Sequence, residues 1–300
     1  TASGARYLVT IKAYRDCRPN PSVDFASNIE VCVYRRDNSQ LHRTETFRLI
    51  TRKPVKPIGR TDCPEALNTC LEEAIYQKIV DLPTSTFGYI LKWEVCCRNT
   101  QVNLRDDPTE GQPFIGQTYQ TIIPPTNVRN SSPYFSEVPV PFICINDTTD
   151  AINYAIDPDG DSLVYRLATP WYGASLSINY PGCTPNYFAP VPISNSDYRP
   201  GFNGQIPFGA TGYVDINPRN GITRYFARQT GNYALAIDLD EYRNGVLLSS
   251  TRLDLQILVI NCALNNQPTL STSTSNLSVV AGGKLCFNVV SNDIDNHTVT

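Results

Sequence analysis

Ten cysteines, at positions 17, 32, 63, 70, 96, 97, 144, 183, 262 and 286, constrain this 300-residue chain more than any other feature. Their spacing is not that of a zinc site. No Cys-x-x-Cys occurs, and the only two histidines, His42 and His297, stand apart from any cysteine pair. Such a cysteine density reads as disulfides formed in an oxidising compartment. Cys63 and Cys70 are close enough in sequence for a local bridge, and Cys144 and Cys262 are placed to tie the first and last strands of one unit. The adjacent Cys96 and Cys97 face opposite ways if they sit on a strand, so they bond different partners more readily than each other. Cys286 is left to pair beyond Thr300 or with nothing.

What the cysteines staple is a chain of short strands. Tyr7-Leu-Val-Thr-Ile-Lys-Ala-Tyr14 alternates apolar and polar residues and is rich in β-branched side chains. Ile29 to Tyr34, Thr44 to Ile50, Tyr89 to Val95 and Thr118 to Ile123 read likewise. Later in the chain so do Ala151 to Ile156, Leu163 to Ala168, Gly212 to Ile216, Gly231 to Asp238 and Arg252 to Ile260. Pro64 to Leu82 fits either a helical face or, after a turn held by Cys63 and Cys70, a strand; the strand is the reading adopted. The class expected is all-β, with tandem Ig-like or cadherin-like β-sandwich domains cross-linked by disulfides. Residues 1–138 would form a disulfide-rich sandwich, bounded by the proline-rich run Asn130 to Pro141. Residues 139–262 would form an Ig-like sandwich with a long aromatic insertion over 170–210. Residues 263–300 would be a linker and the start of a third, truncated repeat, which Leu277 to Val280 and Lys284 to Val290 begin.

Composition removes several functions. The net charge of −3 and the 18 % of charged residues leave no basic face for a nucleic acid. Apolar runs such as Ile257 to Ile260 fall far short of the ~20 residues that cross a bilayer. No Gly-x-Ser-x-Gly, His-Glu-x-x-His or phosphate-cradling glycine loop occurs. His42 lies in a polar context, Leu-His-Arg-Thr-Glu, that reads as solvent-facing, and Glu72 and Glu73, adjacent on a strand, point to opposite faces. No active site is read, and the chain is expected not to be an enzyme.

Two stretches invite a binding role. Asp157, Asp159 and Asp161 alternate in Asp157-Pro-Asp-Gly-Asp161, where hard oxygen donors and the flexible Gly160 suit calcium. The same residues also suit a solvated Asp/Gly turn that satisfies its own backbone. A structural calcium is the only cofactor expected. The second stretch, Trp171 to Tyr213, gathers Trp171, Tyr172, Tyr180, Tyr187, Phe188, Tyr198, Phe202, Phe208 and Tyr213. Trp171 and Tyr172 are candidates for a sugar-stacking or protein-binding surface, while the same aromatics equally give the loop a core of its own.

The motifs Tyr7 to Cys17, Trp93-Glu-Val-Cys-Cys-Arg-Asn99, Ile156-Asp-Pro-Asp-Gly-Asp-Ser-Leu-Val-Tyr165, Ile216-Asn-Pro-Arg-Asn-Gly-Ile222 and Val259-Ile-Asn-Cys262 together resemble a known arrangement. It is the amino-terminal region of very large Bacteroidota surface proteins, labelled by their gliding-motility-associated C-terminal domain. The resemblance implies a secreted, adhesin-like protein exported by type IX secretion and displayed at the cell surface, with a structural or adhesive role in surface attachment or gliding. It also implies O-glycosylation of Asp-Ser/Thr motifs, here at Ser162 and Thr148. Partners would be other domains or copies of the same large protein and an unidentified cell-surface or glycan ligand, with no nucleic acid and no insertion into a membrane. Two further readings stand beside it. One is a filament or sheath subunit joined by β-strand addition at open sheet edges. The other, of a different class, is a carbohydrate-binding module.

Overall fold

A computed structural model describes residues 4–17, 24–55, 70–95, 98–105, 116–139, 142–171, 173, 183, 198–262, 268–272 and 276–294. Among these residues it contains seventeen strands and no helix. The chain is all-β, as its alternating pattern predicts.

The first sheet draws on β1 (Ala5–Asp16), β2 (Asn28–Arg35), β3 (Leu41–Val55), β4 (Leu71–Leu82), β5 (Tyr89–Val95) and β6 (Gln117–Ile123), in the order β1-β4-β3-β2-β5-β6. All its pairings are antiparallel. Its apolar side chains, among them Val31, Val33, Phe47, Tyr76, Val80 and Leu91, form one cluster. In a flat sheet, β4 and β5 would lie three strand spacings apart, about 14 Å. Instead the Tyr76 and Trp93 rings approach to 6.2 Å, and the rings of His42 on β3 and Tyr89 on β5, two spacings apart in the order, to 5.6 Å. The sheet therefore curls over its own core. Irregularities in register between Leu49 and Thr51 and between Val33 and Tyr34 supply local bends where the curl needs them. His42 is accordingly half-buried against Tyr89 rather than solvent-facing, and burial lowers its pKa. Glu72 and Glu73 do point opposite ways: Glu72 binds Arg15 and Arg52, and Glu73 binds Tyr14 and Lys53.

The second half is a two-layer sandwich. One layer contains β8 (Phe142–Cys144), β11 (Ser162–Ala168), β14 (Gly231–Arg243) and β15 (Val246–Ile260), in the order β11-β14-β15-β8. The other contains β9 (Thr148–Ile152), β12 (Tyr213–Ile216) and β13 (Ile222–Phe226), in the order β12-β13-β9. Tyr165, Leu235, Ile237, Leu239, Ile257 and Val259 meet Ala151, Val214 and Tyr225 between the layers. The single strand read over Ala151 to Ile156 is broken in two. The buried Asn153 amide donates to Thr223 Oγ1 at 2.8 Å, and β10 (Ala155–Ile156) then pairs with β7 (Tyr134–Phe135) instead of β13. A last pair, β16 (Thr269–Thr272) with β17 (Val289–Asn292), is exposed throughout, and Leu277 to Val280 is not a strand.

The two halves interlock. Residues 98–105 leave the first sheet and run along the edge of β14 that β11 leaves open. Val102 N–H donates to Asn232 O at 2.7 Å. The fully buried Asn103 amide donates to Ala234 O at 2.8 Å and to Pro207 O at 3.1 Å, while its Oδ1 accepts Ala234 N–H. Leu104, Tyr198 and Ala234, with Phe202, make a small core at this seam.

Three disulfides are present among the described residues: Cys17–Cys70, Cys32–Cys183 and Cys144–Cys262. The last is the one expected from its bracketing position. The local Cys63–Cys70 bridge is corrected, because Cys70 is bonded to Cys17. Antiparallel register explains this: Asp16 pairs with Leu71, so the next step along each strand places Cys17 opposite Cys70, and Cys17 N–H donates to Cys70 O. Sequence proximity lost to sheet register. Cys63, Cys96 and Cys97 lie outside the described residues, and Cys286 is free and exposed. These disulfides belong to an oxidising compartment.

Candidate functional site

At one pole of the second sandwich, the loop between β10 and β11 closes over the end of β14. Asp157 Oδ1 accepts the N–H groups of Asp159 and Asp161, both at 2.9 Å, and Gly160 turns the chain at φ +81° with open space where a Cβ would stand. This is the self-satisfying Asx turn that the sequence allows. The loop does more than turn, because Asp161 faces Arg243. Arg243 Nε and Nη2 donate to its two oxygens at 2.8 and 2.6 Å. The same guanidinium reaches Arg129 O and Asn130 Oδ1, so it clamps the segment arriving from the first sheet onto the pole.

Glu241 completes the group from β14. Leu235, Ile237 and Leu239 alternate onto the core face of that strand, and Glu241 continues the same period, entirely buried. The register irregularity between Glu241 and Tyr242 marks this end of the strand. Its Oε2 accepts a hydrogen bond from Ser249 Oγ, directly across on β15. One carboxylate oxygen from each of Asp157, Asp161 and Glu241 lies within 4.8 Å of the others. Asp157 Oδ2 and Glu241 Oε1 are buried without a hydrogen-bond partner among the described residues. Burial pushes the Glu241 carboxyl up to about 7, against the opposing hydrogen bonds of Ser249 and Asn130. Arg243 holds Asp161 below the usual carboxylate range.

Of the three candidate calcium ligands, the fold thus brings together Asp157 and Asp161. Asp159 stands outside the group: its Oδ2 accepts Ser131 N–H at 2.6 Å and lies 3.5 Å from Arg243 Nη2. Sequence reasoning misses Glu241, although an acidic residue at a core-facing position of an alternating strand is a readable signal.

Among the described residues, the aromatic stretch is largely spent on packing. Tyr198 and Phe208 are buried, and the Phe208 ring meets Tyr233 edge-on at 5.0 Å. Trp171 is half-buried, and the Arg252 guanidinium covers its ring at 3.8 Å from the centroid. Arg252 is itself anchored by Asp238 through two hydrogen bonds, at 2.6 and 2.8 Å. Tyr172, Tyr180, Tyr187 and Phe188 lie outside the described residues. Ser162 opens β11 exposed, and Thr148, also exposed, has its hydroxyl 3.3 Å from that of Tyr213. Compared with protein-family models, curated proteins and solved structures, the chain matches none of them.

Proposed function

We propose that this chain is a non-enzymatic structural and adhesive module of a bacterial cell surface, a cross-linked spacer within a larger secreted protein. The carrying observation is the position of Cys144–Cys262. The backbone enters the second sandwich at Cys144 on β8 and leaves it just past β15, and the disulfide joins those two points across 118 residues of sequence. Tension along the chain crosses the sulfur atoms and bypasses the sandwich between them. Cys32–Cys183 ties β2 of the first sheet to the insertion of the second half. Such staples suit a stalk exposed where no chaperone refolds it. The resemblance of the motifs to the amino-terminal regions of Bacteroidota surface proteins supports the same reading.

The test is to stretch the full chain between its ends in optical tweezers, oxidised and then reduced. Reduction should lengthen the released contour by at least the ~400 Å that 118 extended residues span. Equal contour lengths would remove the mechanical argument. Immunogold labelling of producing cells with an antibody against residues 1–262 tests the location, and label confined to the cell interior would end the reading.

The filament reading keeps one specific support. In the first sheet β1 has β4 as its only strand neighbour among the described residues, and its Leu8, paired with Ile79, is 65 % exposed beside 57 % for Ile79. An edge of that kind can accept a strand from another chain. Sedimentation of the purified chain as a monomer at high concentration would exclude it.

A further inference from the structure

We propose that the pole formed by Asp157, Asp161 and Glu241 is a binding site for a divalent cation of the calcium class. The loop carboxylates alone would not carry this, since Asp/Gly turns are common and satisfy themselves. Glu241 changes the argument. It comes from β14, the strand paired with β11 in the sheet although far from the loop in sequence, and it is fully buried. One of its oxygens belongs to the group, and its Oε1 finds no hydrogen-bond donor among the described residues. Asp157 adds a second buried oxygen without a partner there. A buried carboxylate oxygen left bare costs the desolvation of a charge, and native proteins seldom leave one so.

The charge balance points to a cation and not to another hydrogen-bond donor. Asp157, Asp161 and Glu241 bring three carboxylates to the pole, and Arg243 is the guanidinium that answers them, bound to Asp161. With Glu241 ionised, two negative charges remain, which one divalent ion balances. The spacing agrees. Oxygens bound at about 2.3–2.6 Å to one calcium stand at most about 5 Å apart, so three oxygens within 4.8 Å fit a single coordination sphere. The donors are all hard oxygens with no sulfur or imidazole, which selects calcium or magnesium over the transition metals. The irregular set, drawn from a loop and a strand, suits calcium's tolerant geometry better than magnesium's octahedron. Asp161 would bridge Arg243 and the ion, since each carboxylate oxygen has a second lone pair.

The ion would fix the β10–β11 loop to β14 at the place where Arg243 also holds Arg129 and Asn130. It would therefore stiffen the connection between the first sheet and the second sandwich. With three protein carboxylates and the rest of the sphere left to water, affinity should fall in the ~10⁻⁴–10⁻³ M range of extracellular modules.

The test is a calcium titration of the full chain, stripped with EDTA, read by calorimetry and by the shift in melting temperature. Saturable heat with a Kd in that range and a rise in melting temperature are expected. Glu241→Gln and Asp157→Asn should each weaken binding at least tenfold and abolish the shift, while Asp159→Asn should keep both within about twofold. Because Glu241→Gln could fail to fold, Asp157→Asn on the loop side of the pole serves as the second variant. Three results would overturn the proposal: no heat and no shift at 10 mM calcium; loss of binding in Asp159→Asn equal to that in Asp157→Asn; or a Glu241→Gln protein as stable without calcium as the native chain with it, which would mean that a proton satisfies the pole.

Discussion

Arg98 and Asp254 form an ion pair in the seam between the two halves, with 3 % and 1 % of their side chains exposed. Arg98 follows β5 of the first sheet, Asp254 belongs to β15, and two guanidinium nitrogens meet the two carboxylate oxygens. Arg98 also donates to Trp171 O. A pair this dry gains little net stability over an apolar substitute, but it penalises any arrangement of the halves that separates it. Its contribution is thus to specificity of docking. Arg98→Ala or Asp254→Asn should each cost about 3–5 kcal/mol in urea unfolding, because one charge remains buried alone. The double variant Arg98→Met/Asp254→Leu should recover most of that loss. If each single variant costs under 1 kcal/mol, as exposed pairs do, the seam is wet and the argument fails.

The bridge between Cys17 and Cys70 is open to direct assignment. Proteolysis without reduction, followed by mass spectrometry, should yield a peptide pair joining the end of β1 to the start of β4, and another joining Cys144 to Cys262. Recovery of a Cys63–Cys70 peptide as the main species would contradict the register on which the assignment rests. Replacing both Cys144 and Cys262 by serine should lower stability by about 2–5 kcal/mol, the usual effect of losing a native disulfide.

Much of this fold can be read from local chemistry. Tyr7 to Tyr14, Tyr89 to Val95 and Arg252 to Ile260 alternate as strands do, and each is one. What local pattern cannot convey is pairing. Cys17 meets Cys70 because β1 lies against β4, a neighbour 53 residues away at the cysteines, and nothing near either cysteine encodes that. Asn103 looks like a loop residue, yet it replaces a strand partner for Ala234 at the open edge of β14. At the acidic pole the loop half, Asp157 and Asp161, is visible through its spacing, whereas Glu241 reaches the same point only through the strand order β11-β14. Its place in the alternation with Leu235, Ile237 and Leu239 is the one clue the sequence holds.

Trp171 tests the carbohydrate reading. Its ring carries the Arg252 guanidinium, which Asp238 fixes in place, so the face a sugar would stack on is already occupied. Trp171→Ala should lower stability by about 0.5–2 kcal/mol through the lost cation–π contact and its packing. It should leave any glycan binding by the full chain unchanged on an array. Binding that disappears with Trp171 while the melting temperature holds would return the sugar-stacking surface to first place.

The acid response of the first sheet follows from Glu72. Arg52 donates to both of its oxygens at 3.0 Å and Arg15 reaches it at 2.7 Å, while Arg52 also contacts Asp24. Hydrogen bonding by Arg52, then by Arg15, holds the Glu72 carboxyl below its ordinary range, and the hydrogen bond from Phe25 N–H, with Arg52 adding to it, does the same for Asp24. A depressed folded pKa means that the unfolded chain binds the proton first as pH falls. The stabilisation is therefore complete above about pH 5 and is lost as pH drops through the unfolded value near 4 and on to the lower folded value. Arg52→Met removes the principal donor. The difference in melting temperature between native chain and variant should be constant from pH 8 to about pH 5, then shrink steadily towards about pH 2.5. Added salt at neutral pH should reduce the same difference, since Arg52 and Asp24 are partly exposed and open to screening. A difference that stays constant through the whole acid range would show that Arg52 acts through the packing of its aliphatic stem, with the charges of Glu72 and Asp24 playing no part.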